Sequence, residues 1–484
     1  MLTIAVLLGI VASPVLWTVR GRAAWWVPAF AFGFLGGYVD VGFKIYTHEI
    51  GMALSLVGAA WLIADRPRRP EGRPPLDWSV YLLIAFMLAH MAVACGGNLA
   101  GRLPGTGSIV RLYVNGLWGL AFAAAFWRYG DLRPFRVALA WATAFAAVRV
   151  ALGVYALSIP VPDEVRGSRW LYAASPHAIN FIDLRASAPA LMMLLTIWFY
   201  QRSGRFARMV ILVAYAAAIW LTLLGASRVA TLTVFAIPCL WALLQRRWAG
   251  LLGYAVAVAT LLAAVNLSPA FFRGLPEGAR RSLSPFVRVY NPDETRATLA
   301  ASTASGPAAG GSAAAGATVD SGLFGRRGKR SGTASSNDWH LQLMEAGWRR
   351  WTASPVTFII GRPLEGWRPE YAQPSSVAEM VEVAARLASY ESAFLTIAAS
   401  LGLTGLLLFA RVLWWFGRPI AGDIVRFGIR HPDDALVFVA VQSAVIYTGL
   451  CWIAGGFPSV QIVMGSLAAA LVCDRHSRAE RGPA

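Results

Sequence analysis

The stretch LTLLGASRVATLTVFAIPCLWALLQRRWAGLLGYAVAVATLLAAVNL, residues 221–267, holds two apolar runs separated only by Gln245, Arg246 and Arg247. Each run approaches the roughly 20 apolar residues that a helix needs to cross a bilayer. Back-to-back runs with a short arginine-bearing break are the mark of a chain that crosses a membrane repeatedly. Another tight break, Gly225-Ala226-Ser227, precedes them, so residues 209–225, 228–244 and 250–268 read as three consecutive membrane helices.

The pattern continues outward through most of the 484 residues, of which 57% are hydrophobic and 14% charged. That apolar share exceeds what a water-soluble core of this size requires. Further spans are expected at 2–19, 23–43, 46–64, 78–96, 110–127, 137–156, 182–200, 391–414, 434–454 and 457–473. The expected fold is therefore all-α: a polytopic transmembrane helical bundle of about thirteen spans, with a range of about twelve to fourteen. Residues 2–19 lack a preceding basic segment and read as a first membrane helix rather than a cleaved signal. Cys95, Cys239, Cys451 and Cys473 fall in or beside apolar runs, without metal-type spacing, and read as packing residues.

The formal net charge of +18 would suggest nucleic acid in a soluble protein. Here the arginines cluster in alternate connections: Arg20 and Arg22; Arg66 to Arg73; Arg128, Arg133 and Arg136; Arg202, Arg205 and Arg208; Arg246 and Arg247; Arg418, Arg426 and Arg430; and Arg475, Arg478 and Arg481. By the positive-inside rule these connections face the cytoplasm, so the charge is an orientation signal and no nucleic-acid partner is implied.

That assignment puts one long polar segment on the outer face. The expected organisation is an N-terminal bundle of about ten spans over 1–268, a large periplasmic loop over 269–390, C-terminal transmembrane helices over 391–473 and a cytoplasmic tail over 474–484. Within the loop, the Ala/Gly/Ser-rich residues 298–336 cannot bury enough apolar surface to fold alone and read as a disordered insert. The following DWHLQLMEAGWRRWTASP sets Leu341, Met344, Trp348 and Trp351 at helical spacing, as in an amphipathic helix on the outer membrane surface. Pro355 and the IIGRPLEGW sequence then break that helix and turn the chain.

Two residues stand out as candidate catalytic groups. Arg228 opens a span on the face where arginine is disfavoured. It is either an anchor snorkelling to the interface or a guanidinium fork for a phosphate or diphosphate. Glu391 opens the span after the long loop, either as a favourable charge in a first helical turn or as a general base that accepts or orients a sugar hydroxyl proton. Loop arginines, among them Arg349, Arg350 and Arg362, suit an anionic, membrane-anchored ligand, and Arg185 can join them or pair with Asp183. Asp40, His48, Glu49, His90 and Arg149 are further ionisable residues in or beside spans. No HExxH, GxSxG, phosphate-binding glycine loop or Cys/His metal cluster occurs, and no cofactor is implied.

Three segments carry a family resemblance: LTLLGASRVATLTVFAIPCLWALL, LMEAGWRRWTASPVTFIIGRPLEGW and ESAFLTIAASLGLTGLLLF. Together they resemble the O-antigen ligase/polymerase superfamily of bacterial envelope glycosyltransferases over roughly residues 221–245 and 338–412. The resemblance implies an inner-membrane, metal-independent enzyme with its site on the periplasmic side. Its donor would be an undecaprenyl-diphosphate-linked oligosaccharide, and its partners the lipid bilayer and a chain-length regulator or other envelope-assembly proteins. Arg228 matches the arginine of the family's Ser-Arg pair, and Glu391 stands where ligases generally carry histidine, a difference that favours a polymerase. His340 falls where the family's loop arginine sits, leaving Arg349 or Arg350 to substitute for it in substrate binding.

The expected activity is polymerisation of lipid-diphosphate-linked repeat units. The alternatives are ligase-type transfer of finished glycan to a lipid or protein acceptor, a lipid-linked saccharide transporter and a non-catalytic scaffold.

Overall fold

The computed structural model describes residues 25–35, 38–40, 44–65, 72–100, 106–158, 179–180, 184–201, 204–224, 228–275, 334–363, 381–383, 392–429, 434–442, 444, 457 and 459–480. Its helices are α1 (Val27–Leu35), α2 (Thr47–Asp65), α3 (Trp78–Ala100), α4 (Thr106–Tyr129), α5 (Phe135–Ser158), α6 (Leu184–Gln201), α7 (Arg205–Leu224) and α8 (Arg228–Leu244). They continue with α9 (Trp248–Leu267), α10 (Pro269–Gly274), α11 (Ala334–Trp351), α12 (Pro355–Ile360), α13 (Ala393–Phe427), α14 (Ala435–Gln442) and α15 (Ser459–Glu480).

The helices form a bundle around α15, whose residues Ile462, Met464, Leu467 and Leu471 are buried against α4, α13 and α14. At the periphery α9 buries Val265 alone, while its Leu252, Val256 and Leu267 are exposed. The apolar residues Phe206, Met209 and Val213 of α7 are exposed as well. A long helix that shows apolar side chains on its outside belongs in lipid, where such exposure costs nothing. Among the described residues, four helical stretches are long and apolar enough to cross a membrane: Trp78–Gly96, Arg205–Thr222, Trp248–Leu267 and Phe394–Phe427. Glu49–Trp61 and Phe135–Val148 are shorter apolar helices. Residues 2–19 and much of the run expected at 434–454 lie outside the described residues.

Among the described residues of the run expected as a membrane helix at 23–43, helix extends from Val27 to Leu35. It passes into strand β1 (Tyr38–Asp40), which pairs antiparallel with β2 (Lys44–Tyr46) and β3 (Ile179–Asn180). Glycines at 36, 37 and 42 weaken helix there, and the β-branched and aromatic Tyr38, Val39, Ile45 and Tyr46 favour strand. Asp40 thus lies in a strand, in register with Lys44, and not in a helical span.

One end of the bundle is held by charge. Arg73, its side chain fully buried, forms a two-pronged pair with Asp474, with Nε donating to Oδ1 at 2.8 Å and Nη2 to Oδ2 at 2.7 Å. Its Nη1 donates to the carbonyl of Phe126 at 3.1 Å, and the guanidinium lies 5.3 Å from the Phe126 ring centroid. Arg475 binds the buried carboxylates of Asp423 and Asp434, and His476 lies 3.0 Å from Asp423. Arg246 donates to the Val425 carbonyl, and the Ile429 amide to that of Leu244 at 3.1 Å. Connections that the arginine count assigns to one face therefore meet at one end of the bundle. The tail expected at 474–484 begins as a continuation of α15, which runs on to Glu480.

Candidate functional site

The opposite ends of α8 and α13 carry the segments singled out for chemistry. α8 begins at Arg228 itself, the first residue after the break at 225–227. Short connections at 202–204 and 225–227 make α7 antiparallel to both α6 and α8, so α6 and α8 run the same way. α6 packs against α8, and Arg185 is its second residue. The two sequence candidates Arg185 and Arg228 thus stand at the starts of neighbouring, co-directional helices. From Arg228 to the charged end, near Leu244, is about 25 Å of helix.

The loop helices fold onto the beginning of α13. α11 packs on α13, and Trp351 is the joint: its ring stacks on Phe358 of α12 at 5.0 Å and meets Phe394 of α13 edge-on at 5.9 Å. Its indole N–H donates to the Phe358 carbonyl at 3.0 Å. A proline at the first helical position and a capping box start α12: Ser354 Oγ accepts from the Thr357 amide at 3.2 Å, and Thr357 Oγ1 from the Ser354 amide at 2.9 Å. The break at Pro355 expected from the sequence is present, and α11 reaches back to Ala334, inside the stretch expected to be a disordered insert. The rest of residues 298–336 lies outside the described residues.

The apolar stripe expected on α11 divides between two faces. Trp351 is buried together with Leu343 and Ala346, but Leu341 is 62% exposed and Trp348 52%. Packing against α13 selects the 343/346/347/351 face. Leu341 and Trp348, seven residues apart, remain as an outward apolar ridge suited to a membrane surface.

Beyond α12 the backbone crosses α13 at a pair of glycines. Gly402 (φ 66°, ψ −167°) interrupts α13, and Gly361 (φ 86°, ψ −177°) ends α12. Both conformations belong to a region that only glycine occupies readily. A Cβ on Gly361 would stand 2.5 Å from the nitrogens of Leu401 and Gly402. The next residue, Arg362, donates its amide to the Ala399 carbonyl at 2.9 Å, which holds the loop against the broken helix. Ser400 Oγ, beside the break, is buried and has no hydrogen-bond partner among the described residues.

Of the candidate substrate-binding residues, Arg349, Arg350 and Arg362 lie on or directly after the helices docked on α13. Arg349 is exposed and loosely paired with Glu345 at 3.9 Å, while Arg350 is half-buried. His340 and Arg185 are placed by their backbones within α11 and α6, and Arg228 by its backbone at the start of α8. Their side chains lie outside the described residues, as do Glu391 and Asp183 entirely. Ser392, next to Glu391, caps α13 by accepting from the Leu395 amide at 3.3 Å. Position 391 therefore immediately precedes the cap of the helix on which the loop is docked. Among the described residues no group of three or more His, Cys, Asp or Glu side chains could hold a metal ion.

What the sequence reading missed is the Gly361–Gly402 crossing. It leaves no local signature beyond the ordinary glycines of IIGRP and ASLGL. Comparison with protein-family models gives no match, and no curated protein matches the chain.

Proposed function

We propose that this chain is a bacterial inner-membrane glycosyltransferase that polymerises lipid-diphosphate-linked oligosaccharide repeat units on the periplasmic face. One observation supports the reading: the arginine-bearing loop helices are docked on α13, the helix that directly follows Glu391 in the sequence. Arg185 and Arg228, which open two packed co-directional helices, add a second pair of cations at helix starts.

In this reading an acceptor sugar hydroxyl attacks the anomeric carbon of the donor. The C–O bond to the diphosphate breaks, and the polyprenyl diphosphate leaves. Arg228 and the loop arginines stabilise the charge growing on the leaving diphosphate, and Glu391 takes the hydroxyl proton.

Arg228→Ala and Glu391→Gln, each inserted at normal levels in cells lacking the native protein, are expected to cut polymer formation at least about 100-fold. Polymer of unchanged amount and length in both variants would overturn the assignment. Deletion is expected to accumulate single lipid-linked repeat units. Accumulation of long lipid-linked polymer would make the protein a ligase, and transfer that never appears with purified protein in micelles would point to a carrier.

A further inference from the structure

At the charged end of the bundle, between α13 and α15, lies a cavity of about 390 Å³, within the size range of small-ligand sites. Its wall is apolar, formed by Trp127, Trp415 and Pro419. Its rim carries Arg418 and Arg426, two helical turns or about 12 Å apart along α13. The cavity also borders Asp423 and His476, but Asp423 is already engaged by Arg475 and His476. The acid therefore offers no free charge to satisfy the rim.

Arg418 and Arg426 are both exposed, and neither makes a hydrogen bond or ion pair among the described residues. The acids at this end, the buried Asp423 and Asp434 and the half-buried Asp474, are taken by Arg475 and Arg73, which among the described residues leaves these two guanidinium groups over. The level is interfacial: Trp414 and Trp415 close the apolar run of α13 just before Arg418, as tryptophans do at a membrane boundary.

We propose that this cavity is a binding site for an anionic phospholipid, separate from the glycan site. The lipid phosphate lies between Arg418 and Arg426, and the upper acyl carbons rest on Trp127, Trp415 and Pro419. Guanidinium groups match phosphate oxygens in charge and geometry. Basic pockets between membrane helices bind anionic headgroups for the same reason. A free inorganic anion would use the rim and leave the apolar wall wet, so the wall selects an amphiphile.

The test uses the purified full-length protein in non-ionic detergent. Its thermal unfolding is followed while phosphatidylglycerol, phosphatidylcholine of the same acyl chains, or inorganic phosphate is added. Phosphatidylglycerol is expected to raise the transition temperature saturably, and the other two to leave it unmoved. Arg418→Ala and Arg426→Ala are each expected to weaken the apparent affinity about fivefold, and the double variant about 25-fold. Arg133→Ala, an exposed arginine outside the cavity, is expected to titrate as the unaltered protein does. Copurified lipid counted by mass spectrometry of the intact protein gives a second readout, in which the double variant loses a bound phospholipid. Equal shifts with phosphatidylcholine, an inorganic-phosphate shift matching that of phosphatidylglycerol, or a double variant that titrates unchanged would each overturn the proposal.

Discussion

At Asp77 burial pushes the carboxyl pKa up, but hydrogen bonds from the Arg411 guanidinium and from Ser79 outweigh it and hold the group below its ordinary 3.8. Arg411 donates to Oδ2 at 2.9 Å, and the Ser79 amide to Oδ1 at 3.0 Å, the second bond capping α3. Because the folded value is depressed, the carboxylate's contribution is complete above the unfolded value and is lost as pH falls through the folded one. Asp77→Asn is therefore expected to lower stability at pH 7, by about 1 kcal/mol or less because Arg411 is half exposed and screened. The difference from the unaltered protein should vanish under strong acid, as thermal unfolding in detergent at the two pH values would show. Arg475 is a heavier case, since the side chains of both Asp423 and Asp434 are 2% exposed. Arg475→Ala removes the guanidinium that two buried carboxylates share and is expected to cost about 3 kcal/mol in the same measurement. Arg475 reads from the sequence as an orientation charge, and Arg411 falls inside the span expected at 391–414. The pairing of Arg475 was hinted at only by the acids of the His431-Pro432-Asp433-Asp434 run, which hydropathy ignores.

Among elements, the expected limits of 228–244 for α8 coincide with those observed, because Ser227 and Gln245 bracket one uninterrupted apolar run. The 23–43 run misled because hydropathy measures burial and not backbone geometry, and a glycine-rich aromatic stretch can satisfy it as a short helix followed by a strand. The α12–α13 crossing is the element on which the loop depends. Gly361→Ala or Gly402→Ala would force a side chain into the opposing backbone at a left-handed φ, adding about 1–2 kcal/mol of strain to a steric clash. Each is expected to free the loop from α13, which tryptic cleavage after Arg350, between it and the buried Trp351, would report, while the membrane insertion and helicity of α7 and α9 stay unchanged. Nothing in composition or spacing could place this crossing, since the two glycines lie 41 residues apart and meet only through tertiary packing.

For the whole molecule, alternation of arginine clusters predicted which connections share a face, and the paired contacts of Arg73, Arg246 and Arg475 bring four of them to one end. The orientation of that end in a membrane is open to direct measurement. In a background lacking the native cysteines, Arg133→Cys and Ser354→Cys are expected to react with a membrane-impermeant thiol reagent from opposite sides, Ser354→Cys from the periplasm of intact cells. Labelling of both from one side would invert or collapse the topology. No local pattern places Arg228 relative to Glu391, because their separation depends on packing between helices far apart in the chain, and Glu391 lies outside the described residues.

The pair of Arg73 and Asp474 joins residues 401 positions apart. A ribosome adding about 5–20 residues per second takes roughly 20–80 s to supply the second partner after the first. For that interval the growing chain carries a guanidinium whose burial is not yet neutralised. Its Asp474 partner arrives only with α15, so this end of the bundle closes after nearly all of the chain has been made.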